Sequence, residues 1–245
     1  MPTNPSSSFK ILPSDAGLSD LRLFHLADSA LPIGALAHSF GLESLASHEL
    51  LKGSGIQNFL CGYLEEAGFV EAVFCREAFR LAALGPRDFF SARWLELNDL
   101  LSARKPARES RAGSASLGQN FLNAVAAVGD FPLLRDALQA SRESASLIHH
   151  STAFGLASAA LAFDEGRAVL AYLHQSAASL VSACQRLMPL GQTEATRILW
   201  NLKPTMIEAA NRSAACALDD ASSFMPLLDW GAMEHPALAT RLFVS

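Results

Sequence analysis

The chain has 245 residues, half of them hydrophobic, with a formal net charge of -5 and a sequence pI near 5.8. That length carries one large domain or two small ones with a sizeable core, and without a basic excess nothing points to a nucleic-acid partner. No uncharged apolar run is long enough to span a bilayer, and no basic stretch followed by an apolar one marks a secretory signal, so a cytoplasmic location is expected.

Alanine and leucine dominate, which favours helices over a sheet. Residues 1–20 are rich in Ser, Pro and small polar residues and read as a mobile tail; residues 21–245 read as one domain. In a first helix, Leu21 to Ala30, the side chains of Leu23, Leu26, Ala27 and Ala30 recur on one face. Pro32 and Gly34 interrupt it, because proline lacks an N–H and glycine permits backbone conformations other residues avoid. A second helix is expected from Ser39 to Leu50, with Gly41 inside it, where alanine would be the cheaper residue. A glycine there points to close backbone packing.

Ile56 to Leu84 reads as one long helix ended by Gly85-Pro86. Arg87 to Ala103 follows, with Phe89, Phe90, Trp94, Leu97 and Leu101 as its apolar set. Pro106 opens a helix that carries Arg108, Glu109 and Arg111 in its first turns. Leu133 to Arg142 is short. Ser144 to Phe163 is a run of small residues around Gly155 that permits close helix–helix approach. Arg167 to Met188 is the clearest amphipathic helix, with Leu170, Leu173, Ala177, Leu180, Cys184 and Leu187 in 3–4 spacing; Pro189 and Gly191 break it. Thr193 to Leu202 and a helix opened by Pro204 and running to Leu218 complete the set, and the last residues read as an irregular tail. No segment shows strand alternation and no repeat is present. The expected fold is an all-α, single-domain bundle of about nine or ten helices with a C-terminal docking tail.

Tests for chemistry are mostly negative. The histidines (His25, His38, His48, His149, His150, His174 and His235) form no H-E-x-x-H and no Cys/His cluster of zinc spacing. Phosphate-loop and nucleophile-elbow motifs are absent, and no cofactor is expected. Cys61, Cys75, Cys184 and Cys216 lie in apolar helical contexts without a C-x-x-C pair, as buried free thiols do. Arg186, at a helix end, either caps carbonyls or meets a partner's carboxylate or backbone. Leu242 and Phe243 beside Arg241 are costly to leave in water, so the tail is expected to dock. Two rival readings are a helical enzyme with a pocket lined by His38, Glu43 and His235, and direct carriage of a metal ion, nickel on the resemblance described next, through His235 and other tail residues.

Five blocks in order resemble the urease accessory protein F family (UreF). They are Leu31-Pro-Ile-Gly34 with His38-Ser-Phe-Gly-Leu-Glu43; Arg108-Glu109, Arg111 and Gly118; His150, Phe154 and Gly155; Arg186-Leu-Met-Pro-Leu-Gly-Gln192; and Met233, His235, Arg241-Leu-Phe243 and Ser245. The sequence departs from the family pattern at Ala35, Leu36, Pro236 and Ala239. The resemblance implies an all-α homodimer without enzymatic activity. It implies binding to the accessory protein UreD (UreH in some organisms), partly through the C-terminal tail, and recruitment and modulation of the GTPase UreG during nickel insertion into apo-urease. It also implies partner-binding roles for Pro32, Gly34, Leu36, His38, Ser39, Gly41, Glu43, Arg186, Pro189, Gly191, Gln192, His235, Arg241, Leu242 and Phe243.

Overall fold

In the computed structural model, which describes residues 15–83 and 87–245, the chain winds around one helical rod. The rod is α3 (Ile56–Tyr63), a π turn (Leu64–Gly68) and α4 (Phe69–Leu81). Before it come α1 (Asp15–Leu26), a 3-10 turn (Ala35–Ala37) and α2 (Leu42–Ser47). After it come α5 (Arg87–Ala103), α6 (Arg108–Ala127), α7 (Pro132–Ser144), α8 (His150–Ala160), α9 (Glu165–Leu187), α10 (Gln192–Asn201), α11 (Lys203–Ala215) and α12 (Pro226–Glu234). Among the described residues there is no strand, so the fold is all-α, and no helix is long and apolar enough to cross a membrane.

Almost every face of α4 is buried, and α8, α11, α9 and α5 all pack on it. The closest approach is to α8, where a Cβ on Gly155 would fall 1.9 Å from the Cys75 carbonyl oxygen. On its other side α8 meets α6, where a Cβ on Gly118 would fall 2.1 Å from the Ile148 oxygen. The small-residue run therefore lets three helix backbones come together. Phe74, Phe121 and Phe154 of these helices, with Trp94 of α5, are fully buried, each burial contributing about 1.5–3 kcal/mol. α4 also carries a buried cation. Arg76 bonds Glu165 of α9 at 2.5 Å and the Ala210 carbonyl of α11 at 2.9 Å, which joins three helices.

The periodic helices match their expected spans within a few residues; the differences have local causes. Of the tail expected over residues 1–20, residues 1–14 lie outside the described residues, and from Asp15 the chain is already helical. The Gly85-Pro86 stop also lies outside them. The expected helix Ser39–Leu50 shrinks to Leu42–Ser47, because Phe40 (φ 51) and Gly41 (φ 95) both adopt left-handed conformations. Gly41 thus precedes the helix rather than sitting inside it. Only glycine fits there, since a Cβ would lie 2.7 Å from the Ala232 nitrogen. The run Ser144–Phe163 divides: Ala145 (φ 53) closes α7, and α8 starts at His150. The largest difference is α12, which occupies a stretch expected to be irregular. Pro226 starts it as a first-turn proline, and its apolar residues show no one-sided period to reveal it.

Candidate docking site at the C-terminal segment

The loop between α1 and α2 and the end of the chain build one structure. Gly34 (φ 91) turns the backbone into the 3-10 turn, and the Ala37 carbonyl accepts the Val244 N–H at 2.8 Å. The Ser245 carbonyl accepts from the Ser39 and Phe40 N–H groups, and its hydroxyl lies 2.7 Å from His38 Nδ1. The left-handed turn at Phe40–Gly41 frees these two N–H groups from any helix.

Glu43, 4 % exposed, is the hub. Its carboxylate accepts the backbone N–H groups of Leu242 and Phe243 and lies 2.9 Å from His235 Nε2. The other ring nitrogen of His235 lies 2.6 Å from Glu109 of α6, and Arg241 reaches the same Glu109 at 3.3 Å. Burial pushes the Glu43 carboxyl up, but the two N–H groups and His235 outweigh it and hold it below the usual carboxylate range. Burial also lowers the pKa of His38. Arg186, at the end of α9, donates to the Leu36 carbonyl and stacks 4.2 Å from the centre of the Phe243 ring. It therefore holds another segment rather than capping its own helix, and it bonds within the chain.

The geometry sorts the residues that the resemblance named. His38, Ser39, Gly41, Glu43, Arg186, His235, Arg241 and Phe243 come together in this clasp. Pro32, Gly34 and Leu36 are exposed on the loop that borders it. Pro189, Gly191 and Gln192 lie exposed at the α9–α10 bend, and of that block Arg186 supplies the bonds to the clasp. Along the extended C-terminal strip Phe243 points in (5 % exposed), while Leu242 (55 %) and Val244 (66 %) point out, so Leu242 is no anchor. Leu36, Trp230 and Met233 are also exposed. Glu109, which the sequence places in the first turn of α6 and in one of the blocks resembling the family, proves to be the second carboxylate on His235; neither signal named that partner.

The residues of the two rival readings are bonded within the chain. His38, Glu43 and His235 are all buried; His38 faces Ser245, while the other two bond each other. Among the described residues no group of three or more His, Cys, Asp or Glu is arranged to hold a metal ion.

Comparison with known proteins decides the family. The UreF family model matches residues 52–203. This chain belongs to the UreF family. It is 30% identical over 226 residues to the urease accessory protein UreF of Bradyrhizobium sp. strain BTAi1, covering 91% of each chain. It is 30% identical over 231 residues to the UreF of Corynebacterium glutamicum strain R, covering 93% of this chain and 98% of the other. The UreF of Bacillus sp. strain TB-90 is 27% identical over 227 residues. UreF proteins are accessory proteins and not catalytic enzymes, and as a member this chain is an accessory protein too.

Proposed function

We propose that this chain is a non-catalytic scaffold in urease maturation. As a homodimer in the cytoplasm it binds UreD/UreH through the outer face of the clasp, and the pair recruits and modulates the GTPase UreG for nickel insertion into apo-urease. The observation that carries this reading is the inside–outside division of the C-terminal strip. Glu43 and Arg186 fix Phe243 inward, which leaves Leu242, Val244, Leu36 and Met233 as apolar side chains facing solvent. Leu242 and Val244, two apart on the extended strip, share its outer side, and grouped exposed apolar residues of this kind mark partner sites. Because the strip is already laid on its own chain, little of the binding energy goes into ordering it.

The test is co-purification with the cognate UreD/UreH and UreG, sized by light scattering. A complex with two copies of this chain is expected. Deleting Arg241 to Ser245 should abolish recruitment of the partners while circular dichroism stays helical. Recruitment that survives the deletion would refute the reading.

A further inference from the structure

The proposed docking role makes no use of the polar groups at the centre of the molecule. There a cavity of about 120 Å³ lies between the rod, α5, α6, α8, α9 and the underside of the C-terminal segment. A buried ion pair, Glu71 with Lys105, lines it, and the Tyr172 hydroxyl donates to the same Glu71 at 3.3 Å. On another wall the Tyr63 and Ser176 hydroxyls share a hydrogen bond of 2.9 Å. The His150 ring, 8 % exposed, also lines the cavity, and its Nε2 has no hydrogen-bond partner among the described residues. Ser110 and Ser179, both half-buried, add hydroxyls to the wall. A buried polar group left unpaired is costly, and native structures resolve that cost with water or a ligand.

Two further features point to a ligand. The π turn Leu64–Gly68 places Tyr63 and Ala67 on the wall, and π turns recur at functional sites. At a water's liquid share of ~30 Å³ the cavity has room for about four waters, enough for a molecule of glycerol size. Of the charged groups on the wall, Glu71, Lys105 and Arg104 are occupied. Lys105 bonds Glu71, and Arg104 donates to the Leu218 and Ala221 carbonyls. What remains for a ligand is hydroxyl groups, a histidine that burial keeps neutral, with a pKa of about 4, and the Asp229 carboxyl, which burial pushes above its usual range. Leu101, Leu117 and Leu180 add an apolar side.

From this we infer that the cavity is a binding site for a small uncharged molecule bearing hydroxyl or amide groups. An anion would meet the Asp229 carboxyl and a Lys105 already paired with Glu71, and a cation would meet only the half-buried Asp229, whereas a neutral molecule with several hydrogen-bonding groups meets His150 and the serine hydroxyls as well. Ser223 and Asp229 of the C-terminal segment roof the cavity, so occupancy also stiffens the element whose outer face is proposed to dock.

The test uses the purified full chain alone, so its outcome does not depend on the docking reading. Methyl NMR follows titrations with glycerol, acetamide, acetate and ethylammonium. Glycerol or acetamide should produce saturable shifts at the Leu101, Leu117 and Leu180 methyls at millimolar concentration. Ser179→Leu, which fills the cavity, should weaken binding about tenfold or more. Tyr63→Phe, which keeps the volume and removes a hydroxyl, should weaken it severalfold, and decides the matter if Ser179→Leu fails to fold. Linear shifts spread over the surface, unchanged affinity in both variants, or tighter binding of acetate or ethylammonium would overturn the inference.

Discussion

Two buried carboxylates, Glu43 and Glu71, hold this molecule together in different ways. Glu71 sits on α4 and is neutralised by Lys105, just before α6, and by the Tyr172 hydroxyl of α9. Its partners lie on elements that are already packed against one another through a large apolar core. Glu43 instead takes backbone N–H groups from a strip about 200 residues away in the chain. That strip has few apolar contacts of its own beyond Phe243. The first carboxylate is part of the core's cooperative unit; the second decides whether a surface segment stays down. Loss of the first should therefore unfold the chain, and loss of the second should release one segment.

The largest expected effect tests the first half of that contrast. Lys105→Ala leaves Glu71 buried without its cation and should cost about 3–5 kcal/mol of global stability, read as a lower denaturant midpoint. A drop below about 1 kcal/mol would mean that water reaches Glu71 freely. Next comes Glu43→Ala, which strips the acceptor from Leu242, Phe243 and His235 and should cost about 1–3 kcal/mol locally. Amide exchange at residues 242–244 should then become fast while α4 keeps its protection. Equal loss in both places would collapse the distinction between the two carboxylates.

Acid separates them further. His149 and His150, near Glu71, have pKa values that burial lowers to about 4. The unfolded chain takes up their protons first, near pH 6.5, so their contribution is full above that value and falls as the pH drops toward 4, by a few kcal/mol. His150→Phe should flatten this slope. Glu43, held below its ordinary range, contributes above the unfolded carboxylate pKa near 4.5 and is lost only as the pH falls through its lower folded value. Core softening should therefore begin before the clasp carboxylate is protonated; His38, in the clasp, gives that segment an early loss of its own. The smallest effect on stability belongs to Leu242→Ser, expected within about 0.5 kcal/mol of the parent because the side chain faces water. Its effect should appear in UreD/UreH binding; unchanged binding would remove Leu242 from the proposed surface.

The contrast also explains what could be read from the chain beforehand. α5, α9 and α10 announce themselves through apolar spacing and through proline and glycine at their ends, because each buries one face. The small residues around Gly155 likewise announce close packing. α12 does not, since its apolar residues point both into the core and out toward solvent. The clasp was legible only as a set of residues resembling a family pattern. Which of them meet depends on Phe40 and Gly41 turning left-handed, and the choice of Glu109 as partner to His235 follows from how α6 passes beneath. The pairing of Glu71 with Lys105 left no mark, because Lys105 lies on the link between α5 and α6 and no local pattern says which helix that link meets.

The π turn has a consequence for how this chain can be shortened. An α-helix advances about 100° per residue, so a one-residue deletion within α3 or α4 would turn everything beyond it by that angle and swing Arg76 away from Glu165. Within Leu64–Gly68 the wide turn already stores one residue more than an α-helix needs. Removing a residue there lets the turn tighten to α geometry with both flanks still in phase. Length variation in this rod is therefore tolerable at that turn and disruptive on either side of it.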